Sequence, residues 1–97
     1  MAKVIFRTQA GKDLDALLDH SVTEYGPAAA RERRALWEKA VRLLGEFPTA
    51  GPSCDYVGKG LRRYVIKPHV AYYRITSDGV VILRILHTKQ DARRRFS

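Results

Sequence analysis

The sequence predicts an α+β fold, in which an antiparallel helical hairpin packs on one face of a mostly antiparallel β-sheet with the order β-α-α-β-β-β. Apolar residues recur at helical spacing in the first half of the chain, and their period changes to two after residue 60. Only one or two residues separate the two helical patterns, so the helices must run antiparallel. With 97 residues, the chain (1–97) is expected to form a single domain.

The first half of the chain contains one short strand pattern and two helical patterns. The strand is expected over residues 3–7, and Thr8 can cap the helix that follows. Gly26 ends this helix, Pro27 suits the first turn of the next one, and Pro48 stops the second helix. The residues expected to be buried between helices and sheet are Leu14, Leu17, Leu36, Trp37, Leu43, Leu83 and Ile85.

The second half of the chain is typical of one loop followed by three strands. Glycine and proline are frequent between Pro48 and Gly60, which predicts the loop. The strands "LRRYVIK" and "VAYYRI" are separated by Pro68, and "TSDG" predicts a turn before the last strand. That strand, "VVILRILH", is apolar throughout, which indicates a central strand covered on much of both faces.

Strict alternation would divide the last strand between two faces of the sheet. Leu83 and Ile85 would share the face under the helices, while Arg84 would emerge on the open face or pair with an acid. Arginines alternate with tyrosines in the neighbouring strands, so the open face or its rim is expected to be basic and aromatic, which suits single-stranded RNA. The tyrosines are Tyr56, Tyr64, Tyr72 and Tyr73, of which the last two are more simply interpreted as packing groups.

The net charge of +8 is concentrated in residues 47–97, which carry ten Lys/Arg against three Asp/Glu. A basic surface suits a nucleic acid or an acidic protein, although such a charge can also serve solubility alone. The single cysteine, Cys54, excludes an internal disulfide and a cysteine-based zinc site. Neither a secretory signal nor a membrane-spanning run is recognisable, so we expect a cytoplasmic protein that contacts no membrane.

One candidate activity is metal-free RNA cleavage, which needs a base, an acid and cations around the phosphate. His87 ends the last strand among basic residues and could transfer a proton. The accompanying cations would be Lys59, Arg62 and Arg84. Alternatively, His87 bonds Asp91 or a backbone carbonyl and fixes the strand exit. The absence of a carboxylate cluster and of HxH spacing argues against a metal site.

Several motifs resemble the RelE/ParE toxin superfamily and together cover nearly the whole chain. They are "KDLDALL", "FPTAG", "GLRRYVI", "AYYRI" and "VVILRILHTKQD", and the Gly-Leu-Arg and Ile-Leu-Arg-Ile-Leu-His blocks are the most specific parts. The resemblance implies the same β-α-α-β-β-β fold and a toxin neutralised by an extended segment of a cognate acidic antitoxin, in what could be a hetero-oligomer. One branch of the superfamily cleaves messenger RNA on the ribosome, whereas the ParE branch is similar to DNA gyrase poisons and is not a nuclease.

The ending "LRILH…D" is more similar to the ParE branch. Where the RNA-cleaving branch is expected to carry reactive groups, this sequence has Val70, Gln90 and Phe96, and Phe96 has no hydroxyl to transfer a proton. We therefore expect a ParE-like toxin that acts on DNA gyrase without catalytic residues or a cofactor. The alternatives are a ribosome-dependent mRNA endonuclease and a basic module that only binds protein or nucleic acid.

Under the ParE interpretation, "TKQDARRRF" forms a surface that faces the target, and otherwise it is a frayed, solubilising tail. The target-binding candidates are Lys89, Arg93, Arg94, Arg95 and Phe96. The acidic antitoxin segment would cover the positive surface and the open sheet. Its binding candidates are Arg62, Tyr64, Arg74 and Arg84.

Overall fold

The computed structural model describes residues 2–96 and confirms the order β-α-α-β-β-β, to which it adds a third, short helix that the sequence did not predict. The strands are β1 (Lys3–Phe6), β2 (Arg62–Ile66), β3 (His69–Thr76) and β4 (Gly79–His87); the helices are α1 (Thr8–Tyr25), α2 (Pro27–Glu46) and α3 (Ala92–Phe96). Among the described residues, none of these helices combines the length and the apolar character that a membrane span requires.

The sheet has the strand order β1-β4-β3-β2, so the prediction of a central last strand is confirmed. β4 pairs in parallel with β1 and antiparallel with β3. Gly79 starts β4 with φ +144°, and a Cβ at this position would collide with the backbone of Lys3. Glycine is therefore required where the first and last strands come together.

The two long helices form the predicted antiparallel hairpin. Gly26 has φ +91° and donates its N–H to the carbonyl of Val22, while Pro27 is the first residue of α2. The expected cap at Thr8 is not formed, because Thr8 is already the first helical residue and Arg7, at the capping position, makes no side-chain hydrogen bond.

The helices cover one face of the sheet and bury what we call the helix-side cluster. Trp37 is only 2% exposed, and the burial predicted for Leu17 and Ile85 is confirmed, while Leu14 is half-buried against the cluster. The burial predicted for Leu36 is wrong, since this side chain is 48% exposed. The cluster consists of Ala10, Leu17, Leu18, Trp37, Leu44, Ala71, Tyr73, Val80, Ile82 and Ile85. Leu43 is only partly buried and is not a member.

A β-bulge in β4 corrects the expected alternation. Tyr73 pairs with Ile82 while Tyr72 pairs with Arg84, which leaves Leu83 as an extra residue. Because one inserted residue reverses the parity of the strand, Leu83 packs on the face opposite to Ile85.

The second face of the sheet is partly covered, which also corrects the expectation of an open face. The loop before β2 and helix α3 cover it and bury a loop-side cluster. The interpretation of Tyr72 and Tyr73 as packing groups is confirmed, since one belongs to each cluster. The loop-side cluster consists of Cys54, Leu61, Val70, Tyr72 and Leu86, with Val57, Leu83, Ala92 and Phe96 partly buried against it.

Candidate functional site

His87 organises the exit of β4 through local hydrogen bonds. The N–H of Lys89 donates to His87 Nδ1 (3.1 Å), and the N–H of His87 donates to Gln90 Oε1 (2.7 Å). Asp91, an expected partner of His87, instead accepts a bond from the N–H of Arg93. Since Nδ1 of His87 accepts a hydrogen bond, the neutral ring carries its proton on Nε2.

Arg84 forms a two-point ion pair with Asp13 of α1. Its Nε lies 2.8 Å from Asp13 Oδ2, and its Nη2 lies 3.2 Å from Asp13 Oδ1. The N–H of Ile85 also donates to Asp13 Oδ2 (2.9 Å). β1 pairs with β4 only as far as Ile82, so this carboxylate supplies an acceptor beyond the point where the neighbouring strand ends. Of the two alternatives for Arg84, pairing with an acid is the one observed.

Burial and hydrogen bonding act in opposite directions on the pKa of Asp13. Burial alone would raise this pKa, but hydrogen bonds from Arg84, Ile85 and Gln9 outweigh burial and hold it below its usual value. The sequence predicts an acid as one possible partner of Arg84, but Asp13 was not identified as that acid. Its spacing of four residues from the buried Leu17 places it on the sheet-facing side of α1, which could have identified the acid that Arg84 needs.

Two further cations from the predicted antitoxin-binding set hold the loop that precedes β2. Arg62 donates from Nε to the carbonyl of Gly51 (2.7 Å) and from Nη2 to that of Thr49 (3.2 Å). Arg74 donates to the carbonyl of Lys59. The fourth candidate, Tyr64, is half-buried against the helix-side cluster. Arg62, Arg74 and Arg84 therefore all have internal partners.

The residues proposed for RNA cleavage are not brought together. Arg62 pairs with Tyr73, and His87 pairs with His69, which lies four residues from Tyr73 along β3. At about 3.3 Å per strand residue, Arg62 and His87 start about 13 Å apart along the strands. Lys59 lies in the loop next to the Arg62 end, and Arg84 is engaged by Asp13.

The predicted target-facing segment forms helix α3, with only Lys89 of the candidates lying before it. Asp91 accepts the N–H of Arg93 at its start and forms an ion pair with Arg94 (3.7 Å). The ring of Phe96 packs edge-on against Tyr72, with 5.5 Å between ring centroids. The guanidinium of Arg93 lies 6.0 Å from the centre of the Tyr56 ring. The arginines are exposed, but their segment is anchored and is not a frayed tail.

A groove with an apolar floor and basic walls runs beside α3, and we call it the arginine groove. Its volume is about 560 Å³. Val81, Leu83 and Phe96 provide the apolar surface, and Thr8 and Gln9 of the uncapped start of α1 line one end. Such a groove can take an extended segment that carries both apolar side chains and carboxylates. Its cations are Arg7, Arg74, Arg84 and Arg95.

A second cavity, which we call the histidine cleft, lies between the helical hairpin and the ends of β3 and β4. Its volume is about 550 Å³, and His20, His69 and His87 all line it. Burial lowers the pKa of His69, with smaller contributions from His87, Arg33 and His20 in the same direction. The remaining lining residues are Leu17, Ser21, Tyr25, Ala29, Glu32, Arg33, Leu36 and Pro68. Within residues 2–96, no three His, Cys, Asp or Glu side chains are arranged to hold a metal ion.

Comparisons with known proteins agree with this fold. Residues 4–92 match the model of the family described as the ParE toxin of the type II toxin–antitoxin system parDE. The chain is 31% identical over 86 residues to "Toxin ParE3" of Caulobacter vibrioides, covering 89% of this chain and 86% of that protein. It is 23% identical over 96 residues to "Toxin ParE1" of Mycobacterium tuberculosis, covering 98% of each.

Solved structures give the same result. A chain from the structure titled "Chromosomal ParDE TA system from P. aeruginosa" aligns with a TM-score of 0.77 and 27% identity, covering 90% of this chain and 96% of that one. A conserved hypothetical protein from Helicobacter pylori aligns with a TM-score of 0.56 at 22% identity, covering 93% and 98%, and supports the fold alone. With the family match extending over most of its length, this chain belongs to the ParE toxin family of type II toxin–antitoxin systems.

Proposed function

We propose that this toxin acts in the cytoplasm by binding DNA gyrase and that a cognate acidic antitoxin neutralises it. The observation that carries the proposal is the contrast between two sets of cations. The arginines of the sheet have internal partners, and His87 and Arg62 lie about 13 Å apart along the strands. The arginines of α3 are exposed on one anchored helix. This arrangement favours a toxin that acts by binding over one that transfers protons.

Helix α3 is the proposed target-facing surface. Arg93, Arg94 and Arg95 are exposed, and Lys89 lies just before the helix. Exposed cations of this kind contribute additive, salt-sensitive contacts to a negatively charged protein or DNA surface. The packing of Phe96 on Tyr72 fixes the orientation of the helix, so the charges are presented together.

The arginine groove is the proposed antitoxin-binding surface. Its cations match an acidic partner, and its apolar floor favours a polypeptide over a phosphate backbone. Arg95 and Phe96 belong both to this groove and to α3. An antitoxin segment bound in the groove would therefore cover one side of the target-facing helix, which accounts for neutralisation by steric exclusion.

The target is tested by assaying purified toxin for gyrase supercoiling and for cleavage of ribosome-bound message. We expect inhibition of gyrase and no cleavage. Replacing Arg93, Arg94 and Arg95 together by alanine should weaken inhibition by about tenfold or more while the fold is retained. A matched control removes three exposed cations from α2, at Arg31, Lys39 and Arg42, and should leave inhibition nearly unchanged.

His87→Ala distinguishes the binding mechanism from the RNA-cleaving alternative. We expect this variant to lose gyrase inhibition only to the extent that the exit of β4 is destabilised, since His87 accepts one local hydrogen bond through its side chain. A correctly placed proton-transfer group would instead contribute about 10²–10⁴ in rate. Cleavage of message by folded toxin that disappears in His87→Ala would overturn the proposal in favour of the endonuclease.

Neutralisation is tested with the antitoxin that restores growth when it is co-expressed with this toxin. Replacing Arg7 and Arg95 by alanine should weaken antitoxin binding by about tenfold and reduce its dependence on salt, because both side chains line the arginine groove. The same pair of substitutions at Lys39 and Arg42 of α2 provides the control. Equal affinities for the two double variants would exclude the groove as the antitoxin site.

A further inference from the structure

The apolar stripes of α1 and α2 continue past the part of the sheet that they cover, and they meet at the histidine cleft. Leu36, which the sequence predicts to be buried, is 48% exposed, and Tyr25, which continues the helical spacing of Leu14 and Leu18, is 75% exposed. Both residues line the cleft together with the buried Leu17. Exposed apolar groups that border a cavity of this size are typical of a docking surface.

The polar groups of the cleft come from every element that surrounds it. The chain has three histidines, and α1, β3 and β4 bring all of them to this place. The rings of His69 and His87 lie 5.4 Å apart edge to face, and Nδ1 of His69 is buried without a hydrogen-bond partner. A buried nitrogen without a partner is costly, and it gives a docking group a polar atom to satisfy.

The charged groups that face the histidines come from α1 and α2. From α2 come Arg33, whose Nη1 donates to the carbonyl of Lys67 (2.9 Å), and Glu32. From α1 comes Asp13, whose carboxylate is already engaged by Arg84. Since the chain as a whole carries +8, a second copy of it would bring like charge to the cleft. An acidic partner therefore fits this surface better than self-association does.

We propose that the histidine cleft docks a segment of the acidic antitoxin, with an apolar side chain between Tyr25 and Leu36 and a carboxylate against His69 and His87. The inference rests on the proposed antitoxin partner and adds a second contact, on the helix side of the sheet, to the one in the arginine groove. A segment bound at both places would reach both layers of the toxin. Neither contact requires a change in the fold.

Binding at this cleft is linked to proton uptake. Burial keeps the pKa of His69 below its usual 6.5 in the free toxin. A carboxylate nearby favours the charged imidazolium and raises the pKa of His69 in the complex. Between the pKa values of the free and bound states the complex holds more protons, so affinity must rise as pH falls through that window. Above the bound-state pKa of His69, affinity should not change with pH through this group.

The test is isothermal titration calorimetry with the antitoxin that restores growth, carried out between about pH 6 and pH 8 in two buffers of different ionisation enthalpy. We expect proton uptake on binding and a stronger complex at the lower pH. Leu36→Glu places a carboxylate in the cleft and should weaken binding by about tenfold or more. The matched control is Val22→Glu, because Val22 is 44% exposed on α1 and lies outside the cleft; it should bind as the unmodified toxin does.

The possible outcomes distinguish a failure of docking at the histidine cleft from a failure of the proposed function. If Leu36→Glu and Val22→Glu both bind normally and no proton is taken up, the cleft is not a docking site, while neutralisation through the arginine groove still stands. If no partner restores growth, the proposed function fails and this inference fails with it. Since a substitution at Leu36 could act through the fold, Tyr25→Ser, at a 75% exposed position that lines the cleft, gives a second readout and should weaken binding without loss of helix content.

Discussion

The two faces of the sheet are both buried, but by different kinds of structure. The helix-side cluster is covered by two helices of 18 and 20 residues, whose apolar residues recur with a helical period. The loop-side cluster is covered by residues of an irregular loop and by a helix of five residues. The helices that cover the first face are therefore encoded by local periodicity. The loop and the short helix that cover the second face are held in place only by the folded sheet.

Three side chains of the sheet hold the loop. The hydroxyl of Tyr73 donates to the carbonyl of Pro48 (2.7 Å) and accepts the N–H of Gly51 (2.9 Å). Arg62 and Arg74 donate to further carbonyls of the loop. Because these bonds satisfy backbone groups that no strand or helix pairs, the loop can lie against apolar surface without leaving them unbonded.

The largest expected effect is on the helix side. Leu44→Ala should lower the free energy of unfolding by about 3 kcal/mol or more, since Leu44 is almost fully buried among rigid elements that cannot close around the cavity. Leu61→Ala, on the loop side, should cost only about 2 kcal/mol because the loop can partly collapse. Urea denaturation measures both values. Equal losses would mean that the loop packs as rigidly as the helices.

The ion pair between α1 and β4 should be the next most sensitive feature. Asp13→Asn leaves the partly buried Arg84 without its anion, so we expect a loss of about 2–3 kcal/mol. Replacing both side chains, Asp13→Leu with Arg84→Met, should restore much of this loss because no uncompensated charge remains. A double variant as unstable as Asp13→Asn would indicate that the bond to the N–H of Ile85 is the dominant contribution.

Asp13 also makes the stability of the contact between α1 and β4 depend on pH. Its pKa is lowered in the folded protein, so its contribution is fully present above its unfolded value of 3.8 and is lost as pH falls through the folded pKa. The free energy of unfolding, measured between pH 6 and about pH 2, should therefore decrease less steeply with falling pH for Asp13→Asn than for the unmodified protein. The same pH dependence in both proteins would show that other carboxylates dominate acid denaturation.

A smaller effect is expected where the two regions are joined. Tyr73→Phe keeps the ring in the helix-side cluster but removes the hydrogen bonds of the hydroxyl to the loop, so we expect a loss of about 1–2 kcal/mol. Hydrogen exchange should increase in the loop before β2 and remain unchanged in α1 and α2. Faster exchange throughout the chain would mean that the loop is an integral part of the global folding unit.

The smallest effect is expected at α3. Phe96→Ala removes a half-buried ring that contacts Tyr72, which should cost about 1 kcal/mol. The more informative measurement is gyrase inhibition. It should weaken by more than the small loss of stability alone would cause, because the arginines are no longer presented on a fixed helix. Lys39→Ala changes an exposed residue of α2, outside the target-facing surface, and it serves as the control.

The fold could be predicted from the sequence because its long elements carry a strong period. Trp37, Leu17 and Ile85 were located in the core by spacing alone. The face of the sheet on which Leu83 lies could not be predicted, because a one-residue bulge within a continuously apolar strand does not change the sequence pattern. Leu36 was misplaced because a stripe records which face of a helix is apolar but not how far the neighbouring sheet extends.

The candidate surfaces were less predictable. Counting cations identified a basic protein, but it could not separate Arg62, which bonds to loop carbonyls, from Arg95, which lines an open groove. That distinction depends on tertiary contacts between residues distant in the chain. Helix α3 was not predicted because five residues are too few to show a period.

The position of β4 has a consequence for how this toxin is made. β4 follows the other strands in chain order, yet both β1 and β3 need it as their neighbour. During synthesis only the β2–β3 hairpin and the helical hairpin have partners available, while β1 must wait for a strand that begins more than 70 residues later. Contacts of such long range form late. An incomplete chain on the ribosome would therefore lack the assembled sheet that supports its binding surfaces, and toxicity would begin only after translation has passed β4.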